Sequence, residues 1–203
     1  MKIETKNLIL RNYKLTDLQD YSKLVRQKKV ADRAGFNVVV DDGVALSKLK
    51  YYKDQPFHFA IELKDTGKVV GEIGLNDLSI HTISTYGLNY RDKVKEVEYS
   101  LSEESWGKGI LSEALPAVVK FGMENIQLDY LVGACYLPNG ASKKVMIKAG
   151  LIPYKMDKNY TWKETGENCK VVMAKISKEQ YKHIRWYKDL NITISEKSMN
   201  LEK

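Results

Sequence analysis

The chain has 203 residues, and 33 basic against 26 acidic side chains leave it a net charge of +7. Its hydrophobic fraction of 43% and its mean hydropathy of −0.41 exclude a membrane-embedded or natively disordered protein. No apolar run approaches the roughly 18 residues that a membrane span needs. The first ten residues lack the apolar core of an export signal, so we expect a cytoplasmic protein.

Neither disulfide nor metal chemistry is expected from the sequence. The only cysteines, Cys135 and Cys169, are far apart, and the three histidines are isolated from them and from one another. We interpret both cysteines as reduced thiols. The positive charge suits a polyanionic partner, such as nucleic acid or a phosphate-rich small molecule. The densest basic patches, residues 48–53 and 142–148, are equally typical of solvated helix faces.

Strands and helices alternate along the chain, which predicts a mixed α/β domain. Residues 3–12 predict a strand, and Thr16 is a candidate N-cap of the helix that follows. A second short helix is expected to begin at Asp41 or Asp42.

Two strands at 57–63 and 68–75 flank a Lys-Asp-Thr-Gly turn and predict a hairpin. Residues 76–93 are typical of a loop with some strand. Residues 95–102 alternate between apolar and polar side chains and predict another strand. The rest of the chain predicts, in order, a helix, a buried strand, a short helix and two strands, at 107–126, 128–137, 142–148, 152–160 and 170–176.

The junction between the predicted strand at 95–102 and the following helix contains Gly107 and Gly109. A glycine-containing turn before a helix offers backbone N–H groups and the positive end of the helix dipole to an anion. Lys108 adds a cation. Glycines also mark ordinary turns, and the spacing matches neither a P-loop nor a dinucleotide-binding fingerprint.

Residues 96–115 resemble motif A of the GNAT superfamily of acyl-CoA N-acyltransferases, most closely its Rim-type branch, which acetylates ribosomal-protein N-termini. Trp-Gly-Lys-Gly at 106–109 and Ser-Glu-Ala-Leu at 112–115 carry this resemblance. The segments ETKNLILRNY and FAIELKDTGKVVGEIGL are similar to the first strands of that branch, and LPNGASKKVMIKAGL is similar to motif B. The resemblance covers roughly residues 3–177.

The resemblance implies a GNAT fold over residues 1–177, followed by a helical and polar tail at 178–203. That fold is a mixed, mostly antiparallel sheet, splayed at its central strands and flanked by helices. The implied activity is direct acetyl transfer from acetyl-CoA to a primary amine, on a protein N-terminus or a small molecule, in a ternary complex without a metal.

A homodimer is common among such relatives, and nucleic acid is expected only through a ribosomal-protein substrate. The alternative is a non-catalytic CoA- or RNA-binding protein on a GNAT scaffold.

The resemblance also implies where CoA binds. The loop would hold the pyrophosphate, the neighbouring strand edge would pair with the pantetheine amides, and motif B would contact the arm or the sulfur. Trp106 would either pack below the loop or stack on the adenine. The residues assigned to CoA on this basis are Tyr99, Ser100, Leu101, Ser105, Trp106, Gly107, Lys108, Gly109, Ile110, Asn139 and Ser142.

Catalysis needs a base for the amine and a proton for the departing thiolate. Glu96 and Glu98 are the candidate bases, although either could instead face solvent or bind substrate by charge. The tyrosine that many relatives use as the acid falls at Met146, which leaves Ser142 or Tyr136. The thiolate could also leave unassisted, because a thiol with a pKa of about 8.5 is a tolerable leaving group.

Three further features leave alternatives open. Glu104 stands where motif A usually carries Arg or Gln, and we expect its side chain to point outward. Cys135 is either a core residue or a nucleophile. An aromatic group after the second helix either lines the acceptor pocket or packs in the core, and it comprises Tyr51, Tyr52, Phe57 and His58.

Overall fold

The computed structural model describes residues 1–161 and 165–195. The strands are β1 Lys2–Glu4, β2 Leu8–Arg11, β3 His58–Leu63, β4 Val69–Asp77, β5 Val94–Leu101, β6 Tyr130–Tyr136, β7 Ile152–Thr161, β8 Asn168–Ser177 and β9 Thr193–Ser195. The helices are α1 Leu18–Val25, α2 Lys28–Ala34, α3 Asp42–Lys53, α4 Ile80–Thr85, α5 Ile110–Phe121, α6 Gly140–Lys148, α7 Lys178–His183 and α8 Trp186–Asp189.

The strands form one sheet in the order β7-β8-β6-β5-β4-β3-β2-β1-β9. Within the described ranges every strand pair is antiparallel except β5–β6, which is parallel. That parallel pair ends at Glu96 and Val132, although both strands continue further. The sheet is therefore splayed at its centre, and the fold predicted from the resemblance is confirmed.

Helix α5 covers one face of the sheet because its inward side is almost entirely apolar. Ala114, Leu115, Ala117, Val118 and Val119 are fully buried in the main hydrophobic cluster. A single π-helical turn at Gly122–Ile126 ends this helix. The opposite face carries α1 and α3 over a smaller cluster that includes Tyr13 and Tyr21. No helix in the described ranges is both long and apolar enough to span a bilayer.

Several local predictions are confirmed. The hairpin joins β3 and β4, and its Gly67 has a φ of +68°, which a glycine adopts without strain. Asp41 caps α3, because its Oδ1 accepts a hydrogen bond from the N–H of Val44 at 2.9 Å. Gly150 follows α6 with a φ of +83°, as expected of a helix C-cap.

Other local predictions are wrong. The strand expected at 3–12 is two strands, β1 and β2, with a turn between them. Thr16 is not the N-cap of α1, because Asp17 occupies that position. The Asp17 carboxylate makes no capping hydrogen bond to α1 and instead accepts one from the Lys14 N–H at 2.7 Å. The nearly buried guanidinium of Arg11 donates two hydrogen bonds to the Asp17 carboxylate oxygens, at 2.7 and 2.9 Å. Helix α2 was not predicted, and α4 lies in the segment that resembled a loop.

Residues 178–195 pack against the sheet. Tyr181 and Tyr187 belong to the main hydrophobic cluster, and the Tyr187 hydroxyl donates to the carbonyl oxygen of Ala149 at 2.7 Å. Strand β9 pairs with β1 and so extends the sheet edge. The described part of the tail region is thus continuous with the core, while residues 196–203 lie outside the described residues.

Candidate active site

A cleft of about 370 Å³ opens where β5 and β6 separate. Its walls are the end of β5, the loop at 105–109, the first turns of α5 and α6, and helix α2. The backbone of β5 beyond Glu96 has no strand partner on this side, because pairing with β6 has ended. The splay therefore exposes a strand edge that can hydrogen-bond to an extended ligand.

The loop before α5 presents a row of unpaired donors. Within the described residues, no backbone N–H group from Gly107 to Ser112 has a hydrogen-bond acceptor. The first N–H of α5 that bonds back along the chain is that of Glu113, to the carbonyl oxygen of Gly109 at 3.1 Å. Six donors at the positive end of a helix dipole make a site for a phosphate or pyrophosphate group.

The two loop glycines are required by backbone conformation rather than by crowding. Gly107 and Gly109 have φ values of +76° and +78°, a region that side-chain-bearing residues rarely adopt. A Cβ at either position would meet no atom within 4 Å. The space in front of the loop is therefore open to a ligand, which fits the pyrophosphate of an acyl-CoA.

Trp106 anchors the loop and carries a cation on its exposed side. Its Nε1 donates to the carbonyl oxygen of Leu101 at 2.7 Å, which fixes the loop to the end of β5. The Arg33 guanidinium lies 4.2 Å from the centre of the indole ring. Arg33 is exposed, lines the cleft, and ion-pairs with no acidic side chain in the described residues. It is therefore available to an anionic ligand.

A hydroxyl pair lies across the cleft where β5 faces α6. The hydroxyls of Tyr99 and Ser142 are 2.8 Å apart, and the Tyr99 hydroxyl also approaches the Ser142 carbonyl oxygen at 3.3 Å. Burial raises the pKa of Tyr99 well above its usual range, so its phenol stays protonated at neutral pH. Cys135 lies beside this pair, and burial raises the pKa of its thiol. This environment favours the core role over the nucleophilic one for Cys135.

Asn139 lines the cleft but also supports the structure. Its Oδ1 accepts a hydrogen bond from the Ser142 N–H at 3.2 Å and so caps α6. Its Nδ2 donates to the carbonyl oxygen of Arg33 at 3.4 Å, which ties α6 to α2.

Four other predicted positions lie away from the cleft. Lys108 and Glu104 are exposed, Glu104 as expected, and neither lines the cleft. Met146 is buried in the main cluster. The hydroxyl of Tyr136, one of the two considered as the acid, donates to Glu167 at 2.9 Å, and Tyr136 does not line the cleft. Of the two hydroxyls considered for that role, only Ser142 faces the cleft.

Glu96 and Glu98 both line the cleft but differ in environment. Glu96 is 4% exposed, and its Oε1 accepts a hydrogen bond from the Tyr86 hydroxyl at 2.6 Å. Glu98 is exposed, and its Oε2 accepts one from the Asn76 amide at 2.6 Å. Glu98 is thus the more accessible of the two carboxylates.

A second, smaller cavity of about 90 Å³ lies on the α1–α3 face of the sheet. It shares the segment Glu98–Ser100 with the cleft, so the two spaces meet along β5. Tyr52 and His58 line this cavity. Tyr51 is 62% exposed, and Phe57 packs on Phe121 with ring centres 5.8 Å apart, so neither belongs to the cavity.

Sequence reasoning missed Arg33 and Glu72, which lines the second cavity. Arg33 lies on a short helix with a weak pattern, and nothing in the sequence places it beside Trp106. Glu72 falls in a strand between apolar neighbours, which is the only signal that could have marked it. No group of three metal-ligating side chains occurs within residues 1–161 and 165–195.

Residues 7–152 match the Acetyltransferase (GNAT) domain family, and they make up well over half of the chain. The chain belongs to this family and is an acetyltransferase; GNAT domains use acetyl-CoA. It is 22% identical over 182 residues to the uncharacterized N-acetyltransferase p20 of Bacillus licheniformis, across 87% of this chain and 96% of that protein.

Proteins of known structure share the fold. A GNAT-family acetyltransferase from Bacillus anthracis superposes with a TM-score of 0.75 at 18% identity, over 88% of this chain and 99% of that one. The ribosomal-protein-S5-alanine acetyltransferase of Vibrio fischeri superposes with a TM-score of 0.66 at 17% identity, over 88% and 97%. These neighbours are consistent with the branch that the sequence resembles.

Proposed function

We propose that this acetyltransferase moves the acetyl group of acetyl-CoA directly to a primary amine while both substrates are bound. The observation that carries the proposal is the run of six unpaired N–H groups at 107–112, set at the mouth of a cleft beside an unpaired strand edge. A pyrophosphate and a pantetheine arm need those two features side by side.

The residues proposed to hold acetyl-CoA divide by the part of the molecule they meet. The N–H groups of Gly107 to Ser112 bind the pyrophosphate, and Arg33 adds a positive charge from α2. The edge of β5 at Tyr99–Leu101 pairs with the pantetheine amides. Bound acetyl-CoA supplies a thioester whose carbonyl carbon accepts the amine.

Two groups of this chain then act on the leaving sulfur. The hydroxyls of Tyr99 and Ser142 lie together in the cleft and can donate hydrogen bonds to a developing thiolate. Because the raised pKa of Tyr99 keeps its proton on the phenol, this hydroxyl is a donor throughout the neutral range. A hydrogen bond from such a donor to a charged group contributes about 1.5 kcal/mol.

The acceptor is proposed to enter from the side of the second cavity, where the two spaces meet at Glu98. An alkyl ammonium is attracted by this exposed carboxylate and by Glu96 behind it. A protein N-terminus is the acceptor class that we favour, because structural neighbours include a ribosomal-protein-S5-alanine acetyltransferase. A small-molecule amine, such as a polyamine, is the alternative within the same chemistry.

Acetyl-CoA binding and CoA release together test this function. Isothermal titration with acetyl-CoA should give a saturable one-site curve, and thermal melting should show a concentration-dependent rise in Tm. CoA release should then appear with a panel of peptides bearing free Ala or Ser N-termini, or with spermidine. An acetylated enzyme intermediate, detected by mass spectrometry before amine is added, would contradict direct transfer.

Binding without transfer is the second outcome to distinguish. A protein that binds acetyl-CoA but releases no CoA with any amine would be a non-catalytic binder on this scaffold. Stabilisation by RNA and not by acetyl-CoA would contradict the CoA site itself.

A further inference from the structure

A buried polar network lies beneath the second cavity, on the face of the sheet that α1 and α3 cover. His58 of β3 is 8% exposed, and its Nε2 lies 3.1 Å from Oε2 of Glu72 on β4. The same carboxylate accepts hydrogen bonds from the hydroxyls of Tyr13 at 3.2 Å and Ser100 at 3.1 Å. Three side chains from three chain segments thus converge on one carboxylate.

This network fixes the charge of Glu72. Burial by itself would raise the pKa of this carboxyl, but the hydrogen bond and the positive charge of His58, together with the hydrogen bonds from Ser100 and Tyr13, outweigh burial and lower it. Burial and the nearby carboxylate raise the pKa of Tyr13 well above its usual range, so Tyr13 stays a neutral donor. An ionised Glu72 can only accept hydrogen bonds, so the Nε2 of His58 carries a proton and donates it.

The other ring nitrogen of His58 is left as an acceptor. In the neutral imidazole with a proton on Nε2, Nδ1 holds a lone pair. Within the described residues Nδ1 has no hydrogen-bond partner. Nδ1 is also not fully buried, because among those residues Ser22 Oγ is the only side-chain N or O atom that lacks both a partner and solvent exposure. Because His58 lines the cavity, this lone pair is offered to whatever enters it.

Strand register brings the imidazole toward the reaction centre. His58, Gly74 and Glu98 are directly opposite one another on β3, β4 and β5, and their side-chain positions lie on one face. The imidazole leans over Gly74, where a Cβ would be 2.8 Å from Nδ1. The ring therefore extends over β4 toward Glu98 of β5, where the cavity meets the cleft.

Aromatic stacking holds the ring in this orientation. Tyr52 of α3 stacks on the imidazole with ring centres 3.9 Å apart and planes 10° from parallel. Tyr13 stacks on it at 6.1 Å and 27°. One carboxylate and two stacked rings thus restrict the imidazole of His58 to one orientation.

We infer that His58 is the base that removes the proton from the acceptor amine, and that Glu72 positions its ring and stabilises the imidazolium. In this step the proton of the ammonium group passes to Nδ1. The electron pair that stays on the amine nitrogen is then free to attack the acetyl carbon. The inference rests on the proposed function, because it assigns the acceptor side of that same site.

The cavity also defines the class of acceptor. About 90 Å³ between aromatic walls admits a narrow group, such as an N-terminal residue with a small side chain or an unbranched alkyl amine. The titratable groups around the imidazole are Tyr13 after β2, Tyr21 of α1, Lys48 and Tyr52 of α3, Glu72 of β4, and Glu98 and Tyr99 of β5. Two carboxylates against one lysine favour a cationic amine over an anionic acceptor.

The test is the pH dependence of kcat in His58→Gln, with whichever amine of the panel the wild-type protein acetylates. Glutamine can still donate to Glu72 but cannot take up a proton. We expect kcat at pH 7.5 to fall about 100-fold. The acidic limb of the wild-type kcat profile should disappear, because the variant has no imidazole to act as the base. His81→Gln, an exposed histidine on α4, is the matched control and should leave kcat and its profile unchanged.

Glu72→Gln provides an independent measurement if His58→Gln melts near the assay temperature. Without the carboxylate the ring loses the partner that orients it, so kcat should fall while the KM for the amine changes less than threefold. Retention of wild-type kcat in His58→Gln would overturn the inference, as would a limb that vanishes in Glu96→Gln or Glu98→Gln instead. If the wild-type protein binds acetyl-CoA but acetylates no amine, the proposed function fails together with this inference. If the wild type is active and His58→Gln keeps its kcat, only the inference fails.

Discussion

The Arg33 guanidinium lies 4.2 Å from the centre of the Trp106 ring, beside the loop of unpaired N–H groups. Motif A usually carries a basic or amide residue where this chain has Glu104, and Arg33 brings a cation to the same loop from a separate helix. Stacking on the indole holds the guanidinium there at little cost in side-chain entropy.

Removing this cation should weaken CoA binding. We expect Arg33→Gln to raise the Kd for CoA about tenfold, because a partly exposed charged hydrogen bond contributes about 1.4 kcal/mol. The Kd for pantetheine, which lacks the pyrophosphate, should not change. Lys28→Gln on the same helix is the matched control, since Lys28 pairs only with Asp32. An equal loss for both ligands would mean that Arg33 does not contact phosphate.

Gly67 has a backbone conformation like that of Gly107 but does not line the cleft, so it provides a control for a substitution in the loop. Gly107→Asp and Gly67→Asp each force a side chain into positive φ without a clash, so both should cost about 1–2 kcal/mol of stability. Only Gly107→Asp also sets a carboxylate against the pyrophosphate. Its Kd for CoA should rise more than 100-fold while that of Gly67→Asp stays within threefold. Similar values for the two variants would contradict the phosphate site.

Glu98 should affect acceptor binding more than the chemical step. Because its exposed carboxylate lies where the cleft meets the second cavity, Glu98→Gln should raise the KM for a cationic amine about fivefold and change kcat less than threefold. Glu103→Gln, an exposed acid paired with Lys29 outside both spaces, is the control. A large fall in kcat with unchanged KM would instead make Glu98 the base.

The hydroxyl pair in the cleft should act as a unit. Tyr99→Phe and Ser142→Ala should each lower kcat about tenfold, and the double variant should lose little more than either alone, since the two hydroxyls are 2.8 Å apart. Binding of CoA should stay within threefold in all three proteins. Fully additive losses would show that the hydroxyls act independently. Because the pKa of Tyr99 is raised, no basic limb should appear below pH 10 on its account.

The N-terminal turn is fixed to α5 by Glu113, which gives the fold a pH-dependent contact. Its carboxylate accepts hydrogen bonds from the Thr5 hydroxyl at 2.6 Å and from the Asn7 N–H at 2.7 Å. Burial by itself would raise the pKa of Glu113, but these hydrogen bonds outweigh burial and lower it below 4.5. A lowered pKa stabilises the fold above the unfolded-state pKa, and this contribution is lost as the pH falls through the folded-state value.

Glu113→Gln should therefore lose about 1 kcal/mol of unfolding free energy at pH 7, a modest value because the site is partly exposed. The difference from wild type should shrink below pH 4.5. Urea unfolding at pH 7 and pH 4 measures it. A pH-independent difference would mean that the carboxylate charge does not matter. Glu179→Gln, a well exposed acid on α7, is a suitable control.

Much of the fold was predictable because short stretches of sequence encode it. The turn at Gly67, the cap at Asp41 and the glycine turn before α5 each depend on the conformational preferences of a few neighbouring residues. The same holds for the phosphate site, since its donors are consecutive backbone groups. These features survive in any tertiary context, which is why their pattern in the sequence was sufficient.

The tertiary structure alone decided which side chains meet. Arg33 and Trp106 are 73 positions apart in the sequence, and His58 reaches Glu72 only because β3 and β4 pair in one register. Strand β9 joins β1 from the far end of the chain. Such contacts depend on how helices and strands pack, and no local preference reports them. The sequence by itself therefore determined the family and the glycine loop with its unpaired N–H groups. Packing decided which cation and which hydroxyls lie around the cleft, and which imidazole lines the second cavity.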